Sequence, residues 1–315
     1  MLKNKYLPEG SLISTSENRE YISSLQGLER AKQEDKILEG YVKKCDSDTM
    51  ELQVDLYGIT GIIPKNEVLY GEEIKDIAII TRVGKPCAFK VVGIESNDGG
   101  KPKVILSRRL SQMECMKNYL MDLVPGDIIP AKITHFEPFG AFLDIGCGII
   151  SLMSVDSVSV SRISSPRDRF SLREEIKVIV KSIDYENERI YASTKELFGT
   201  WEENVKGYCV GQTVSGIVRS IESYGIFVEL APNLAGLAEL RQDVSVGDLC
   251  AAYIKSIMPD KMKIKLVIVD TCENNQAPST KEHYFIDTDQ INHISSWRYS
   301  PSGCSKIVES RFDKE

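Results

Sequence analysis

The stretch Phe-Gly-Ala-Phe-Leu-Asp-Ile at residues 139–145 returns about 85 residues later as Tyr-Gly-Ile-Phe-Val-Glu-Leu at residues 224–230. Each stretch follows a second matching run, which extends from Gly126 to Ile133 in the first case and from Gly211 to Val218 in the second. Self-similarity at a long fixed period indicates that one supersecondary unit is repeated along the chain. Both stretches have a β-rich pattern and carry two aromatic residues beside a glycine, which favours a binding surface over a catalytic centre.

Three strand-rich copies of this unit follow one another, over residues 37–110, 123–197 and 208–270, and the first copy is the most divergent. Each copy is predicted to contain five short strands separated by turn residues. This is the strand count of the small closed Greek-key barrel called the OB-fold. We therefore predict an all-β protein built from three tandem five-stranded OB-fold barrels.

The N-terminal segment, residues 1–36, precedes the repeats and has the apolar spacing of an amphipathic helix over residues 16–36. Ser14 and Glu17 have the spacing of a capping box at its start. Two interpretations remain open for this helix: it packs on its own first domain, which is the favoured one, or it docks a partner.

The C-terminal segment, residues 271–315, resembles none of the copies. A strand is predicted over residues 282–287, and Trp297 and Tyr299 alternate as strand residues do. We therefore expect a small β extension that caps the third barrel.

Trp201 lies in the linker after the second copy. Two interpretations remain open for its side chain: it anchors a short helix between domains, which is the favoured one, or it stacks on a base.

Composition narrows the classes of protein that the chain can represent. It has 315 residues, 42% hydrophobic and 27% charged, which is typical of a folded globular protein. No apolar run is long enough to span a membrane, and the N-terminus lacks the apolar core of a secretory signal. The eight cysteines are scattered singly, which fits the cytoplasm. Because neither a phosphate-binding glycine loop nor a cluster of metal ligands is evident, we expect no cofactor, no metal and no enzymatic activity.

The repeated aromatic residues are the first candidates for a binding site. Side chains three positions apart on a regular strand face opposite ways, but a bulge at Gly140 would place Phe139 and Phe142 on one face. Tyr224 and Phe227 repeat the arrangement in the third copy. Two exposed aromatics on one barrel face form a stacking platform for unpaired bases. The alternative is that these rings fill the barrel core.

Basic residues near the aromatics are the second group of candidates. A loop of the second copy, residues 161–173, holds four arginines against one aspartate in a chain of net charge −7, and three of them are assigned to binding: Arg162, Arg167 and Arg169. The closing hairpins add Asp184 with Arg189 in the second copy and Lys263 in the third. Such cations can reach phosphate or stack on a base. The alternative for each is an ordinary solvated surface charge.

The second and third copies resemble the S-one RNA-binding motif, a domain of ribosomal and RNA-processing proteins. The resemblance rests on Gly126 to Ile133, residues 139–142, Gly148, and Asp184 with Arg189, and with the first copy it covers about 210 residues. It implies barrels that bind single-stranded RNA without strong sequence choice. Carried across by position, it assigns Phe139, Phe142, Asp184 and Arg189 to the RNA face of the second copy, with Tyr224, Phe227 and Lys263 in the third. Ser151 is a further candidate RNA-binding residue of the second copy.

Three departures from the motif affect the expected function. Ser151 and Glu239 stand where the family often has a histidine, and the first copy has Met50 and Gln53 in place of the aromatics. The leading hypothesis is a cytoplasmic, non-enzymatic protein of the translation apparatus that binds single-stranded mRNA, and the small ribosomal subunit is a candidate partner of residues 1–110. The alternatives are a protein-interaction adaptor and an RNA-processing enzyme.

Overall fold

The computed structural model describes residues 5–71, 75–95, 102–273 and 284–312. The chain divides into two compact units. Unit 1 comprises Met1–Leu123 with Asp144–Ile150, and unit 2 comprises Val124–Leu143 with Ser151–Glu315. Within the described ranges, no helix combines the length and apolar character that a membrane span requires.

The predicted N-terminal helix is present as two shorter helices, α1 (Ser16–Ile22) and α2 (Leu25–Gln33). The chain breaks between them because the Ser24 side chain accepts a hydrogen bond from the Gly27 amide and so starts a new helix. The predicted capping box of Ser14 and Glu17 is wrong. The N-cap residue of α1 is Thr15, whose side chain accepts a hydrogen bond from the Asn18 amide.

Gly27 lets the two helices approach closely. A methyl group on this residue would lie 2.4 Å from the carbonyl oxygen of Tyr21. Residues from both helices, including Tyr21 and Leu28, share one apolar core with the first barrel. The favoured interpretation of this segment, packing on its own first domain, is therefore confirmed.

Barrel one is a closed sheet with the strand order β1-β2-β3-β5-β4, in which only β3 and β5 run parallel. A short helix, α3 (Asp76–Ile80), lies between its third and fourth strands. In β2 and β5, buried and partly exposed residues alternate over most of the strand, so one face of each lines the core. The strand bounds are β1 (Leu38–Cys45), β2 (Leu52–Leu56), β3 (Ile59–Ile63), β4 (Pro86–Glu95) and β5 (Lys103–Ser107).

Barrels two and three repeat this closed five-stranded design, so the predicted fold class is confirmed. Helix α4 (Arg108–Asn118) follows barrel one, and helix α5 (Trp201–Val205) follows barrel two. The strands of barrel two are β6 (Ile128–Glu137), β7 (Gly140–Asp144), β8 (Ile150–Ser154), β9 (Glu175–Asp184) and β10 (Arg189–Ser193). Those of barrel three are β11 (Thr213–Glu222), β12 (Gly225–Ala231), β13 (Leu234–Ala238), β14 (Leu249–Met258) and β15 (Lys263–Cys272).

Large aromatic side chains attach the connecting segments to barrel three. Trp201 is 2% exposed and packs into this core together with Trp297 and Tyr299. Trp201 therefore anchors helix α5 and is not available to stack on a base, as the favoured interpretation predicted.

The C-terminal segment forms a two-stranded antiparallel ribbon of β16 (Ser296–Arg298) and β17 (Glu309–Arg311). Because Trp297 and Tyr299 of this segment pack into the core of barrel three, the predicted cap on that barrel is confirmed. Phe312 also contacts apolar residues of barrel two. The predicted strand over residues 282–287 is absent from residues 284–287, and its first two residues lie outside the described ranges.

Candidate nucleic-acid interface

The aromatic pair of barrel two lies on its outer surface. Phe139 is 56% exposed, and its ring centre is 6.1 Å from that of half-buried Phe142 in an edge-to-face arrangement. Ala141 and Leu143 are fully buried on the opposite face of β7. The predicted sharing of one face by the two rings is thus confirmed, and the alternative of core aromatics is wrong.

Barrel three repeats the geometry closely. Tyr224 is 68% exposed, and its ring centre lies 6.0 Å from that of Phe227, again edge to face. Two barrels of the same chain therefore present one exposed and one half-buried ring in the same relative orientation.

In barrel three, the predicted cause of this arrangement, a bulge at the glycine, is wrong. Tyr224 lies in the turn before β12, and Gly225 pairs in register with Glu222. The irregularity is on the opposite strand, between Val218 and Ser220. Because a turn residue does not follow strand alternation, its ring is free to face the same way as Phe227. Phe139 occupies the corresponding turn in barrel two.

The glycine that follows each aromatic turn residue allows the backbone of the neighbouring strand to approach closely. A methyl group on Gly140 would lie 2.5 Å from the carbonyl oxygen of Met153, and one on Gly225 would lie 2.7 Å from that of Ala238. A side chain there would separate neighbouring strands of the barrel, so glycine fixes the position of the aromatic turn.

Two further rings of barrel two escaped the sequence-based prediction. His135 on β6 stacks on Phe142 with ring centres 4.3 Å apart and planes only 6° from parallel. Tyr191 on β10 is half-buried and pairs with Leu152 on β8. Together His135, Phe142, Leu152 and Tyr191 form an outward row across four neighbouring strands, which we call the aromatic row. The sequence signal that could have identified these two residues is an aromatic side chain at an outward-facing position of β6 and of β10.

The aromatic row weakens in the other barrels. In barrel three the register aligns Ser220, Phe227, Leu237 and Lys265, which leaves one ring. In barrel one the corresponding row contains no ring, and its members are Lys44, Gln53, Ile62 and Ile105. Met50 is half-buried and packs against the barrel core. At the positions of the aromatic row, barrel two therefore carries the most rings, barrel three carries one and barrel one carries none.

Four of the predicted cations are exposed. The side chain of Arg162 is 87% exposed and lies 4.0 Å from the carboxylate of Glu222. The Arg167 guanidinium lies over the ring of Phe136, 4.9 Å from its centre. Arg189 and Lys263 are exposed at the starts of β10 and β15.

Two predicted site residues are buried, and the structure does not place them on this surface. Arg169 is 4% exposed, and its guanidinium lies 2.6 Å from the carboxylate of Glu229 in barrel three. Ser151 is 1% exposed, and its hydroxyl donates a hydrogen bond of 2.7 Å to the carbonyl of Ile190. Both assignments are corrected because the polar atoms are used within the fold.

Asp184 organises the turn between β9 and β10. Its carboxylate accepts hydrogen bonds from the backbone and side-chain amides of Asn187, at 3.1 and 2.8 Å. These bonds, the side-chain one above all, lower the pKa of the Asp184 carboxyl below its usual range. Asp184 thus positions the hairpin that carries Arg189.

A buried ionic network joins barrels two and three within unit 2. The carboxylate of Glu229 lies 2.6 Å from the guanidinium of Arg169 and 2.5 Å from that of Arg219. All three side chains are at most 11% exposed, so the charges are compensated mainly by one another.

Unit 1 contains a second buried ionic network. Glu9 accepts hydrogen bonds from Arg108 at 2.7 Å and also from Arg82. Burial alone would raise the pKa of the Glu9 carboxyl, but the two guanidinium groups outweigh it and hold the pKa near 2. Burial, reinforced by Glu9, raises the pKa of the nearby Glu39 carboxyl to about 8.

Comparison with known proteins agrees with the class of domain that this geometry suggests. Residues 123–195, which contain barrel two, match the family model described as "S1 RNA binding domain". This is the S-one motif of the sequence resemblance.

Longer relatives cover nearly the whole chain. The small ribosomal subunit protein bS1 of Staphylococcus aureus strain MRSA252 is 30% identical over 303 residues, which span 90% of this chain and 75% of that protein. The same protein of strain COL is 27% identical with the same coverage. The bS1 homolog of Bacillus subtilis strain 168 is 29% identical over 285 residues, which span 88% of this chain and 71% of the homolog. The chain therefore belongs to the family of small ribosomal subunit protein bS1.

Proposed function

We propose that this chain binds single-stranded RNA, mRNA in particular, as a cytoplasmic component of the translation apparatus. The observation that carries the proposal is the repeated aromatic turn, with Phe139 and Tyr224 exposed beside a second ring. Aromatic faces of this kind stack on unpaired bases without selecting a sequence. Membership of the bS1 family supports the same conclusion.

Barrel two is the main binding domain in this proposal. It combines the aromatic row and the turn residue Phe139 with the exposed cations Arg167 and Arg189. Barrel three contributes Tyr224 and Phe227 with Lys263. The chain as a whole carries a net charge of −7, so stacking is the main source of affinity and local cations assist. The proposal assigns no catalytic step to the chain.

Titration of the full chain with a fluorescent single-stranded oligouridine tests the proposal. The matched competitor is a duplex RNA of similar length, whose bases are already stacked and paired. We expect the single strand to bind at least tenfold more tightly, because only unpaired bases can stack on the rings. Equal affinity for the two RNAs would contradict the proposal.

A second candidate function, protein docking, is supported by unit 1. Barrel one has no ring at the positions of the aromatic row, and apolar side chains near α3 are exposed, with Ile77 at 64%, Ile80 at 47% and Val83 at 42%. Co-sedimentation of the chain with small ribosomal subunits distinguishes the two candidates. Association that survives nuclease treatment and is lost on Ile77→Asp would favour docking through unit 1.

A further inference from the structure

A basic groove of about 560 Å³ lies within unit 2, beside the loop that follows β8. Its lining includes three cationic side chains, Arg162, Lys195 and Lys306, and a single carboxylate, that of Asp156. The excess of positive charge stands out in a chain of net charge −7. Lys195 and Lys306 did not figure in the sequence-based prediction, and Lys306 comes from the C-terminal segment.

The walls of the groove are fixed by buried hydrogen bonds. The side chain of Asn233 is fully buried, accepts from the Val160 amide at 2.8 Å and donates to the Lys195 carbonyl at 2.7 Å. The Ser300 hydroxyl donates to the Lys306 carbonyl and accepts from the Val308 amide, both at 2.8 Å. The backbone that carries each lysine is therefore held in place before any ligand arrives.

The charges of the two groove lysines are available to bind an anion. In the part of the chain that the structure describes, neither Lys195 nor Lys306 lies within ion-pair distance of a carboxylate, and Lys306 is exposed. The Arg162 guanidinium lies 4.0 Å from the Glu222 carboxylate, at the outer limit of an ion pair. None of the residues that line the groove is aromatic, so its chemistry suits phosphate and not a stacked base.

Lining residues of the groove contact both aromatic turns. The Val155 amide donates a hydrogen bond of 2.9 Å to the carbonyl of Phe139. The Arg162 guanidinium lies 4.0 Å from the carboxylate of Glu222, which pairs with Gly225 directly after Tyr224. The groove therefore borders the turn of barrel two and the turn of barrel three.

We propose that the groove binds the phosphodiester backbone of a single RNA strand between its stacking sites on barrels two and three, with Lys195 and Lys306 as phosphate ligands. The C-terminal segment thus forms part of the RNA-binding surface. This inference rests on the proposed RNA-binding function. It adds a site that only an RNA long enough to reach both barrels can occupy.

Anisotropy titrations of the full-length double variant Lys195→Gln and Lys306→Gln test the inference with two oligouridines. One has about 6 nucleotides and the other about 25, since one OB barrel covers about 4–16 nucleotides. Each phosphate contact contributes about 0.7 to the log–log salt slope on single strands. Loss of two contacts should therefore make the slope shallower by about 1.4 and weaken binding of the long RNA roughly 25-fold at 0.1 M salt. Binding of the short RNA should change less than threefold.

The matched control is the double variant Lys117→Gln and Lys206→Gln, which removes the same charge from two exposed side chains outside the groove. An equal loss in this control, or an unchanged slope for the long RNA in the groove variant, overturns the groove assignment. In either case, binding of the long RNA by the parent chain leaves the proposed function standing. Absence of RNA binding by the parent overturns both.

Discussion

Removal of both aromatic rings of barrel two, by Phe139→Ala with Phe142→Ala, separates a binding role from a structural one. Each stacked base contributes about 1–3 kcal/mol, so loss of two rings should weaken RNA binding by about 2–6 kcal/mol. Even the lower figure corresponds to roughly a 30-fold higher dissociation constant. The measurement is an anisotropy titration with a single-stranded oligouridine.

The same double variant should remain folded. Phe139 is 56% exposed, and truncation of exposed side chains typically changes stability by no more than about 0.5 kcal/mol. Phe142 also loses its contacts with Phe139 and His135, and aromatic pairs contribute about 0.5–1.5 kcal/mol each. These contributions total about 1–3.5 kcal/mol, and we expect a decrease of about 1–2 kcal/mol in the free energy of unfolding because the partner rings of Phe139 and His135 are exposed to solvent.

Phe170→Ala is the matched control, because this ring of unit 2 is only 4% exposed. Truncation of a buried phenylalanine costs about 3–5 kcal/mol of stability, and the folded fraction should bind RNA as the parent does. The reasoning is refuted if the double variant loses more stability than this control, or if its RNA affinity stays within threefold of the parent.

Three further predictions concern the buried polar groups. Glu229→Gln should lower the free energy of unfolding by about 3–5 kcal/mol in denaturant melts, because it removes the charge of the buried carboxylate that both the Arg169 and the Arg219 guanidinium contact; a loss below about 1 kcal/mol would contradict this. Asn233→Ala should cost about 3 kcal/mol or more by the same assay, since buried backbone groups lose their partners, and a neutral effect would disprove the role of its amide. Burial raises the pKa of the Glu39 carboxyl from 4.5 to about 8, so the folded chain retains a proton that the unfolded chain releases. Stability should therefore fall as the pH rises from about 4.5 to about 8, and Glu39→Gln should reduce that dependence; identical pH profiles of variant and parent would exclude this source.

The repeat made most of the fold predictable from the sequence. Strand and turn signals recur in three copies, so the five-stranded barrels followed from a count that each copy supports independently. The shared face of Phe139 and Phe142 was predicted for the wrong reason. Strand alternation was applied to Phe139, a residue that the structure places in a turn.

The errors at the candidate site come from contacts between residues far apart in sequence. Arg169 was assigned to RNA because its loop is rich in arginine, but its partner, Glu229, belongs to the next barrel. Ser151 points inward because its hydroxyl meets the carbonyl of Ile190 on a neighbouring strand. Neither contact leaves a signal in the local sequence. The same limitation hid Lys306, which only the fold of the C-terminal ribbon brings to the groove.

Photo-crosslinking of a single-stranded oligouridine to the full chain, with the crosslinked residues mapped by mass spectrometry, tests the central claim most directly. The account predicts crosslinks at the aromatic turn and row of barrel two, at Phe139, Phe142, His135 and Tyr191, with weaker ones at Tyr224. Crosslinks concentrated in barrel one, with none at either aromatic turn, would contradict it.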